Sequence, residues 1–141
     1  MVIKQLSIFL ENKKGRFTEI AKLLGSSGIN MTAFTVSENS DFGILRLIVS
    51  DTEKAKNILR ENKYAVNEAD VICLRCPNKP GSLAQAMQIL TDADVFIEYM
   101  YAFSEGDAAN VIIRPDNLEK SVEMLKASKL ELLAASDLYR L

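Results

Sequence analysis

The stretch that decides the fold is NKKGRFTEIAKLLGSSGIN (residues 12–30), because it recurs as NKPGSLAQAMQILTDADVF (residues 78–96) at an offset of 66 residues. In each copy a glycine, Gly15 or Gly81, precedes apolar residues at the i, i+3, i+4 and i+7 positions of an amphipathic helix. The same offset relates matching residues from position 6 to position 63 of the first copy. A constant offset over this length indicates an internal duplication.

Each copy predicts elements in the order strand, helix, strand, strand, helix, strand. In the first copy these are strands at 2–10, 29–37 and 44–49, a helix at 17–24, a turn at Asn39-Ser40-Asp41 with Gly43, a helix capped by Asp51 or Thr52, and a strand beginning at 64–66. In the second copy the strands are predicted at 71–76, 95–103, 110–114 and 130–135, and Pro115-Asp116-Asn117 marks the start of its second helix. Strand 64–66 runs almost directly into strand 71–76, so no flexible linker separates the copies.

This order predicts an α+β protein made of two ferredoxin-like βαββαβ modules, residues 1–68 and 69–141. Right-handed crossovers place both helices on one face of each antiparallel sheet. A module of this size buries a small core and leaves one sheet face and the sheet edges bare. We therefore expect the modules to lean on each other, with the sheets joined edge to edge or with whole chains paired through the bare face as a homodimer.

Composition excludes several classes of function. The chain has 48% hydrophobic and 26% charged residues and a net charge of −2, so it is globular and offers no overall positive field to nucleic acid. Neither a signal peptide nor an apolar run of about 18 residues is present, which predicts a cytoplasmic protein without a membrane partner. Cys73 and Cys76 form a Cys-x-x-Cys motif inside a strand, where residues three apart face opposite sides. We expect them to be buried apolar residues.

Catalysis and RNA binding are the rival classes. The chain has no His, and it lacks a Gly-x-Ser-x-Gly motif and a phosphate-binding loop, so we predict no enzyme activity, no metal and no cofactor. Small acyl-phosphate phosphatases share this architecture but need an arginine-bearing cradle, for which Arg16 is the only candidate. RNA-recognition modules stack bases on aromatic residues of their first and third strands. The predicted third strands, 44–48 and 110–114, contain no aromatic residue.

The turn, the helix spacing, the Gly28-Ile29-Asn30 segment and the duplication together resemble the ACT domain, a family of regulatory modules that sense amino acids. The segment 78–83 is similar to the family's Asp/Asn-x-Pro-Gly-x-Leu turn. The resemblance covers almost the whole chain as two tandem copies. It implies a cytoplasmic amino-acid-binding regulatory protein, or alternatively a regulatory subunit that contacts an amino-acid biosynthetic enzyme, similar to the small subunit of acetolactate synthase.

The resemblance also implies that the ligand lies between paired modules, near the loop after the first strand and the start of the second strand. The backbone N–H groups of such a loop and the positive end of its helix favour a carboxylate, and amide side chains both donate and accept. The candidate binding residues are Asn12, Lys14, Gly15, Arg16, Phe17, Asn30, Met31, Asn78, Pro80, Gly81, Ser82, Leu83, Phe96, Ile97 and Glu98.

The two copies differ at these positions. Lys14 stands where the family has proline, and Phe96 stands where the first copy has Asn30. The difference favours one composite site over two equal sites. We hypothesise that the first loop and Asn30 form it, faced by residues 96–98 of the other module.

Overall fold

The computed structural model describes residues 2–38 and 41–141, and the predicted turn at Asn39 and Ser40 lies outside these residues. The elements follow the predicted order through both copies. They are β1 (Ile3–Glu11), α1 (Arg16–Ser26), β2 (Met31–Glu38), β3 (Phe42–Val49), α2 (Thr52–Glu61), β4 (Ala65–Pro77), α3 (Ser82–Asp92), β5 (Ile97–Glu105), β6 (Ala108–Pro115), α4 (Leu118–Ala127), β7 (Glu131–Leu132) and α5 (Ala135–Tyr139).

The chain divides into two units, which we call the first and the second module. The first module contains residues 4–69 and 138–141, and the second contains residues 70–137 with Val2 and Ile3. The linear segments predicted from the repeat do not assign residues 138–141 to the first module, because the 66-residue offset carries no signal for that segment. β4 spans the two predicted strands at 64–66 and 71–76, so its first residues belong to the first module and its later ones to the second.

Both modules have an antiparallel arrangement around a central pair of strands. In the first module the strand order is β2-β3-β1-β4, and β3 pairs antiparallel with both β1 and β2. In the second module the order is β5-β6-β4-β7, and each of these pairs is antiparallel. Consequently β1 and β2 run parallel to each other, since each is antiparallel to the strand between them.

Each module packs its two helices on one face of its sheet. In the first module, Ile20 and Leu24 of α1 and Leu59 of α2 join Leu6 and Leu47 of the strands in one buried cluster. The equivalent positions 66 residues later form the buried cluster of the second module, through Ala86, Leu90, Leu125, Ile72 and Ile113. Burying a Leu or Ile side chain in this way contributes about 1.5–3 kcal/mol. The predicted α+β class and the predicted helix faces are confirmed.

The duplication extends to the details of the backbone. The left-handed residues Gly15, Gly28 and Lys63 recur as Gly81, Asp94 and Lys129, each 66 residues later. The register irregularity between Met31 and Ala33 recurs between Ile97 and Tyr99. Asp51 caps α2 by accepting from the Lys54 N–H, and Asn117 caps α4 by accepting from the Lys120 N–H.

The last predicted strand, at residues 130–135, is mostly wrong. Only Glu131 and Leu132 pair with β4, and α5 begins at Ala135. The sequence LLAASDLY from residue 132 onward contains strong helix formers and no β-branched residue, which favours a helical turn over an extended strand. Leu138 on this helix is fully buried.

The Cys-x-x-Cys motif lies inside β4, as predicted. Cys73 and Cys76 are both buried, and they are free thiols. Burial raises the pKa of the Cys73 thiol to about 12, so it stays protonated at neutral pH. A protonated, buried thiol is a poor nucleophile and a poor metal ligand.

Candidate functional site

The loops after β1 and after the second-module part of β4 have the same conformation. Gly15 (φ 88°) and Gly81 (φ 89°) are the N-cap residues of α1 and α3, in the left-handed region that glycine adopts readily. The Arg16 N–H donates to the Lys13 carbonyl, and the Ser82 N–H donates to the Lys79 carbonyl, both at 3.3 Å. The predicted repetition of this turn is therefore present at the level of individual hydrogen bonds.

Neither of these helices has a side-chain cap among the described residues. This distinguishes α1 and α3 from α2 and α4, whose first turns are capped by Asp51 and Asn117. The N–H groups in the first turn of an uncapped helix can accept an anionic partner, and the helix dipole favours negative charge there.

At the first loop these N–H groups border a cleft of about 350 Å³, which we call the loop cleft. It includes four of the predicted binding residues, Asn12, Lys14, Arg16 and Phe17. The remaining lining residues are Leu10, Glu11, Lys13, Val36, Glu38 and Gly43. The loop cleft thus combines three cations and two carboxylates with apolar side chains.

The charges around the loop cleft are partly paired. Glu11 accepts from Lys13 at 2.9 Å and lies 3.7 Å from Arg16, which also lies 3.7 Å from Glu19. The hydrogen bond from Lys13 lowers the pKa of Glu11, so this carboxylate stays ionised at neutral pH. The two Arg16 ion pairs are long, which leaves the guanidinium donors able to turn toward a better acceptor.

The second loop carries fewer charges. Asn78 donates its backbone N–H to the Asp107 carbonyl at 2.8 Å, Pro80 has no N–H, and Leu83 is 38% exposed on α3. Ser82 is the first residue of α3, in the position that Arg16 has in α1. The predicted residues of this loop are thus adjacent to one another around Gly81, but only Lys79 adds a positive charge.

The remaining predicted residues lie at the other edge of each sheet. Asn30 and Met31 are at the start of β2, and because β1 and β2 are parallel, the start of β2 is opposite the edge where β1 ends. Residues 96–98 have the equivalent position at the start of β5. The first loop and Asn30 therefore do not meet within the first module, contrary to the composite site as predicted.

The surroundings of Asn30 and Phe96 differ as their side chains do. The Asn30 backbone N–H donates to Ser50 Oγ at 2.9 Å, and its side-chain Nδ2 donates to the Leu141 carbonyl at 3.1 Å. The Phe96 N–H donates to Asp116 Oδ1 at 3.0 Å, and its ring is 68% exposed. Met31 and Ile97 pack against the cores, while Glu98 pairs with Arg114 at 3.4 Å.

A second cleft, of about 390 Å³, adjoins the loop cleft and was not predicted. It shares Leu10, Glu11 and Arg16 with the loop cleft and adds aromatic residues, including Tyr64. The Tyr64 hydroxyl is shielded and makes no hydrogen bond within the described part of the chain. Burial, and then the carboxylate of Glu19, raise the pKa of Tyr64. Sequence spacing gave no signal for this cleft, since its residues come from four separate segments.

Two further findings concern metals and membranes. Within residues 2–38 and 41–141, no three His, Cys, Asp or Glu side chains converge to hold a metal ion. No helix of those residues is long and apolar enough to cross a bilayer.

The duplicated βαββαβ architecture, with a glycine before the first helix of each copy, defines a pair of ACT-type modules. A family model described as ACT domain pair matches residues 1–141, and the chain belongs to that family. The predicted resemblance to a tandem ACT-domain protein is confirmed. A search of curated protein sequences finds no match.

Several solved structures are similar to the chain. Protein BT0572 from Bacteroides thetaiotaomicron is 55% identical with a TM-score of 0.97, and the match covers 100% of this chain and 98% of that one. The ligand-free regulatory subunit of aspartate kinase from Thermus thermophilus is 12% identical with a TM-score of 0.65, over 90% and 94% of the two chains. The same subunit from Thermus flavus is 13% identical with a TM-score of 0.63, over 92% and 95%. The likeness to the two kinase subunits is one of fold.

Proposed function

We propose that this ACT domain pair is a regulatory protein that binds an amino acid at the loop cleft of the first module. The observation that carries the proposal is the uncapped start of α1, whose residues Arg16 and Phe17 line a cleft of about 350 Å³. That volume is within the range of about 300–1,000 Å³ that small-molecule sites occupy. The predicted residues Asn12 and Lys14 line the same cleft.

The α-carboxylate of the ligand binds at the start of α1. The first-turn N–H groups and the helix dipole favour an anion there. Arg16 adds a guanidinium whose ion pairs with Glu11 and Glu19 are both 3.7 Å long. A carboxylate that accepts two parallel hydrogen bonds from Arg16 is a stronger partner than these distant carboxylates. Lys14, which has no ion-pair partner among the described residues, adds further positive charge.

The α-ammonium and the side chain of the ligand use the rest of the cleft. The Glu38 carboxylate and the Asn12 side-chain oxygen, which lies 3.7 Å from where a Cβ on Gly43 would be, offer acceptors for the ammonium. Leu10, Phe17 and Val36 form an apolar wall. Phe17 is supported by Phe34, with the two ring centroids 5.8 Å apart. The cleft therefore suits a zwitterion with an apolar side chain.

A second copy of the chain is the proposed partner that completes the site. β2 is the edge strand of the first module's sheet, and Phe34 and Val36 on it are 51% and 52% exposed. Exposed edge strands of this kind pair readily with strands of other chains. In a two-fold, antiparallel β2–β2 pair, the start of one β2 lies beside the end of the other. Asn30 of the second copy then approaches the loop cleft.

The alternative is that the exposed residues of β2 contact a biosynthetic enzyme and that the chain is its regulatory subunit. Two structural neighbours with known roles are regulatory subunits of aspartate kinase, which supports a regulatory subunit as the second candidate. Phe34 and Val36 would then be covered by the enzyme. In that case the isolated chain is monomeric and gains a partner only when the enzyme is present.

A thermal-shift panel with each of the twenty amino acids tests the proposal. A ligand present at about 100 times its dissociation constant stabilises the fold by about 2.7 kcal/mol, which raises the melting temperature measurably. Sedimentation of the same samples reports whether the chain is a dimer. A flat panel with a monomeric chain contradicts the proposal and favours the enzyme-subunit alternative.

A further inference from the structure

Residues 138–141, which we call the strap, belong to the first module and lie against the edge where β2 begins. The Lys4 backbone N–H donates to the Tyr139 hydroxyl at 2.9 Å, and that hydroxyl donates back to the Lys4 carbonyl at 3.4 Å. The Asn30 side-chain Nδ2 donates to the Leu141 carbonyl at 3.1 Å. The strap thus occupies the side-chain amide of a predicted ligand-binding residue.

The strap is firmly anchored at one end and weakly held at the other. Leu138 is fully buried, whereas Leu141 is 44% exposed. The bond between Asn30 and Leu141 joins two neutral groups at exposed positions. Such a bond adds little net stability, because water replaces either partner when it breaks. The end at Leu141 can therefore leave Asn30 while Leu138 stays in place.

The second module has no equivalent of this contact. Its backbone follows the same path, since the Asp116 N–H donates to the Phe96 carbonyl as the Ser50 N–H donates to the Asn30 carbonyl. Phe96, however, has no amide to offer. The contact between the strap and a side-chain amide is thus specific to the first module.

We propose that the strap is an autoinhibitory contact, which occupies the Asn30 amide until the carboxylate of an amino acid takes the place of the Leu141 carbonyl. This inference rests on the proposed function and adds a means of regulating the same site. A carboxylate is the stronger acceptor, because hydrogen bonds to a charged oxygen are shorter and stronger than those to a neutral carbonyl. Ligand binding then releases residues 139–141, which converts the presence of the ligand into a change at the protein surface.

Nuclear magnetic resonance on the full chain tests this inference, with the Leu141 amide and the Asn30 side-chain NH₂ as reporters. Tyr139→Phe removes the hydroxyl that holds the strap to Lys4. Amide exchange at Leu141 should become faster, and the amino acid that gives the largest thermal shift should bind about five-fold more tightly, because less of the protein is in the closed form. Tyr64→Phe is the matched control, since it removes a hydroxyl that makes no hydrogen bond in the described part of the chain. It should leave both readouts unchanged.

Asn30→Ala separates the strap from a general loss of structure. Exchange at Leu141 should become faster, as in Tyr139→Phe, but the amino acid should bind more weakly because its own partner is gone. The inference is overturned if the bound amino acid leaves the Leu141 and Asn30 signals of the unmodified chain in place. It is also overturned if Tyr139→Phe speeds exchange without tightening binding.

Acetate distinguishes failure of this inference from failure of the proposed function. If no amino acid binds any variant, the proposed function fails. A titration with acetate, which offers a carboxylate alone, then decides about the strap. Displacement of the Leu141 and Asn30 signals supports the carboxylate switch, and unshifted signals overturn it.

Discussion

The two modules have the same backbone at their ligand-type loops and different side chains on it. Gly15 and Gly81 have φ values of 88° and 89°, and the hydrogen bonds around them match. In the first module the loop and the adjoining strands carry Glu11, Lys14, Arg16 and Glu38. At the positions 66 residues later the second module has Pro77, Pro80, Ser82 and Ser104. The shared backbone therefore creates the anion-accepting helix end twice, and the charges that select a zwitterion occur once.

A similar difference separates the helix α2 from α4. Lys56 of α2 bonds to Glu68 of β4 at 2.8 Å. The equivalent positions in the second module are Val122 and Ala134, and Val122 packs against the core. One polar contact in the first module is thus replaced by an apolar contact in the second, which teaches that the repeat preserves positions and not interactions.

Truncating equivalent core residues tests whether the modules are equally important for stability. Leu24→Ala and Leu90→Ala each remove a fully buried side chain from the same turn of α1 or α3. Each should lower the free energy of unfolding by about 2–5 kcal/mol in a urea titration. Lys22→Ala on the exposed side of α1 is the control, with an expected change within about 0.5 kcal/mol. A cost below 1 kcal/mol for one leucine would break the equivalence of the two cores.

Removing one cation from each loop tests whether the first module alone binds the ligand. Arg16→Gln removes a hydrogen bond to a charged group, which is worth about 1.5–3 kcal/mol, so the affinity for the amino acid found in the panel should fall about 10- to 100-fold. Lys79→Gln in the second loop should change it less than about two-fold. Isothermal titration calorimetry measures both. Equal losses would indicate two equivalent sites.

Substituting the glycines tests whether the two turns are equally strained. A Cβ on Gly15 or Gly81 would meet no described atom within 4 Å, so only the left-handed backbone opposes a side chain. Gly15→Ala and Gly81→Ala should each cost about 1–2 kcal/mol. Gly25→Ala is the matched control in the last turn of α1, where alanine should stabilise by about 0.5–1 kcal/mol. A gain of stability at Gly15 or Gly81 would contradict the assigned turn.

The smallest expected effect concerns pH. The hydrogen bond from Lys56 lowers the pKa of Glu68 below its ordinary value of 4.5. A lowered carboxyl pKa stabilises the fold at higher pH, and this stabilisation is lost as the pH falls through the lowered pKa. Glu68→Gln should therefore slightly destabilise the protein at neutral pH and have no effect once Glu68 is protonated in acid. Urea titrations across the range with Lys56→Met and the double variant measure the coupling, and a pH-independent difference would contradict the assignment.

Much of the fold could be predicted from the sequence because it rests on local periodicity. The helix faces, the glycine turns and the buried cysteines follow from spacing that either copy displays by itself. The part that failed, the strand at 130–135, has no periodic signal. A run of Leu and Ala is compatible with a strand or a helix, and packing of Leu138 in the first module favours the helix.

The candidate site was predictable only in part. The first loop contributes Asn12, Lys14, Arg16 and Phe17 to one cleft because they are consecutive or nearly so. Asn30 lies at the opposite edge, since the crossover through α1 makes β2 parallel to β1. The second cleft and the strap were not predicted, because they join segments that are distant in sequence and carry no shared motif.

By itself the sequence determined the duplication, the class of each element and the identity of the family, since these depend on residue type and spacing along the chain. Only the tertiary structure decided that residues 138–141 return to Asn30, that Val36 and Glu38 border the first loop, and that Arg16 lies between two clefts. Contacts of this kind depend on strand direction and on which segments meet in space. Periodicity does not encode them.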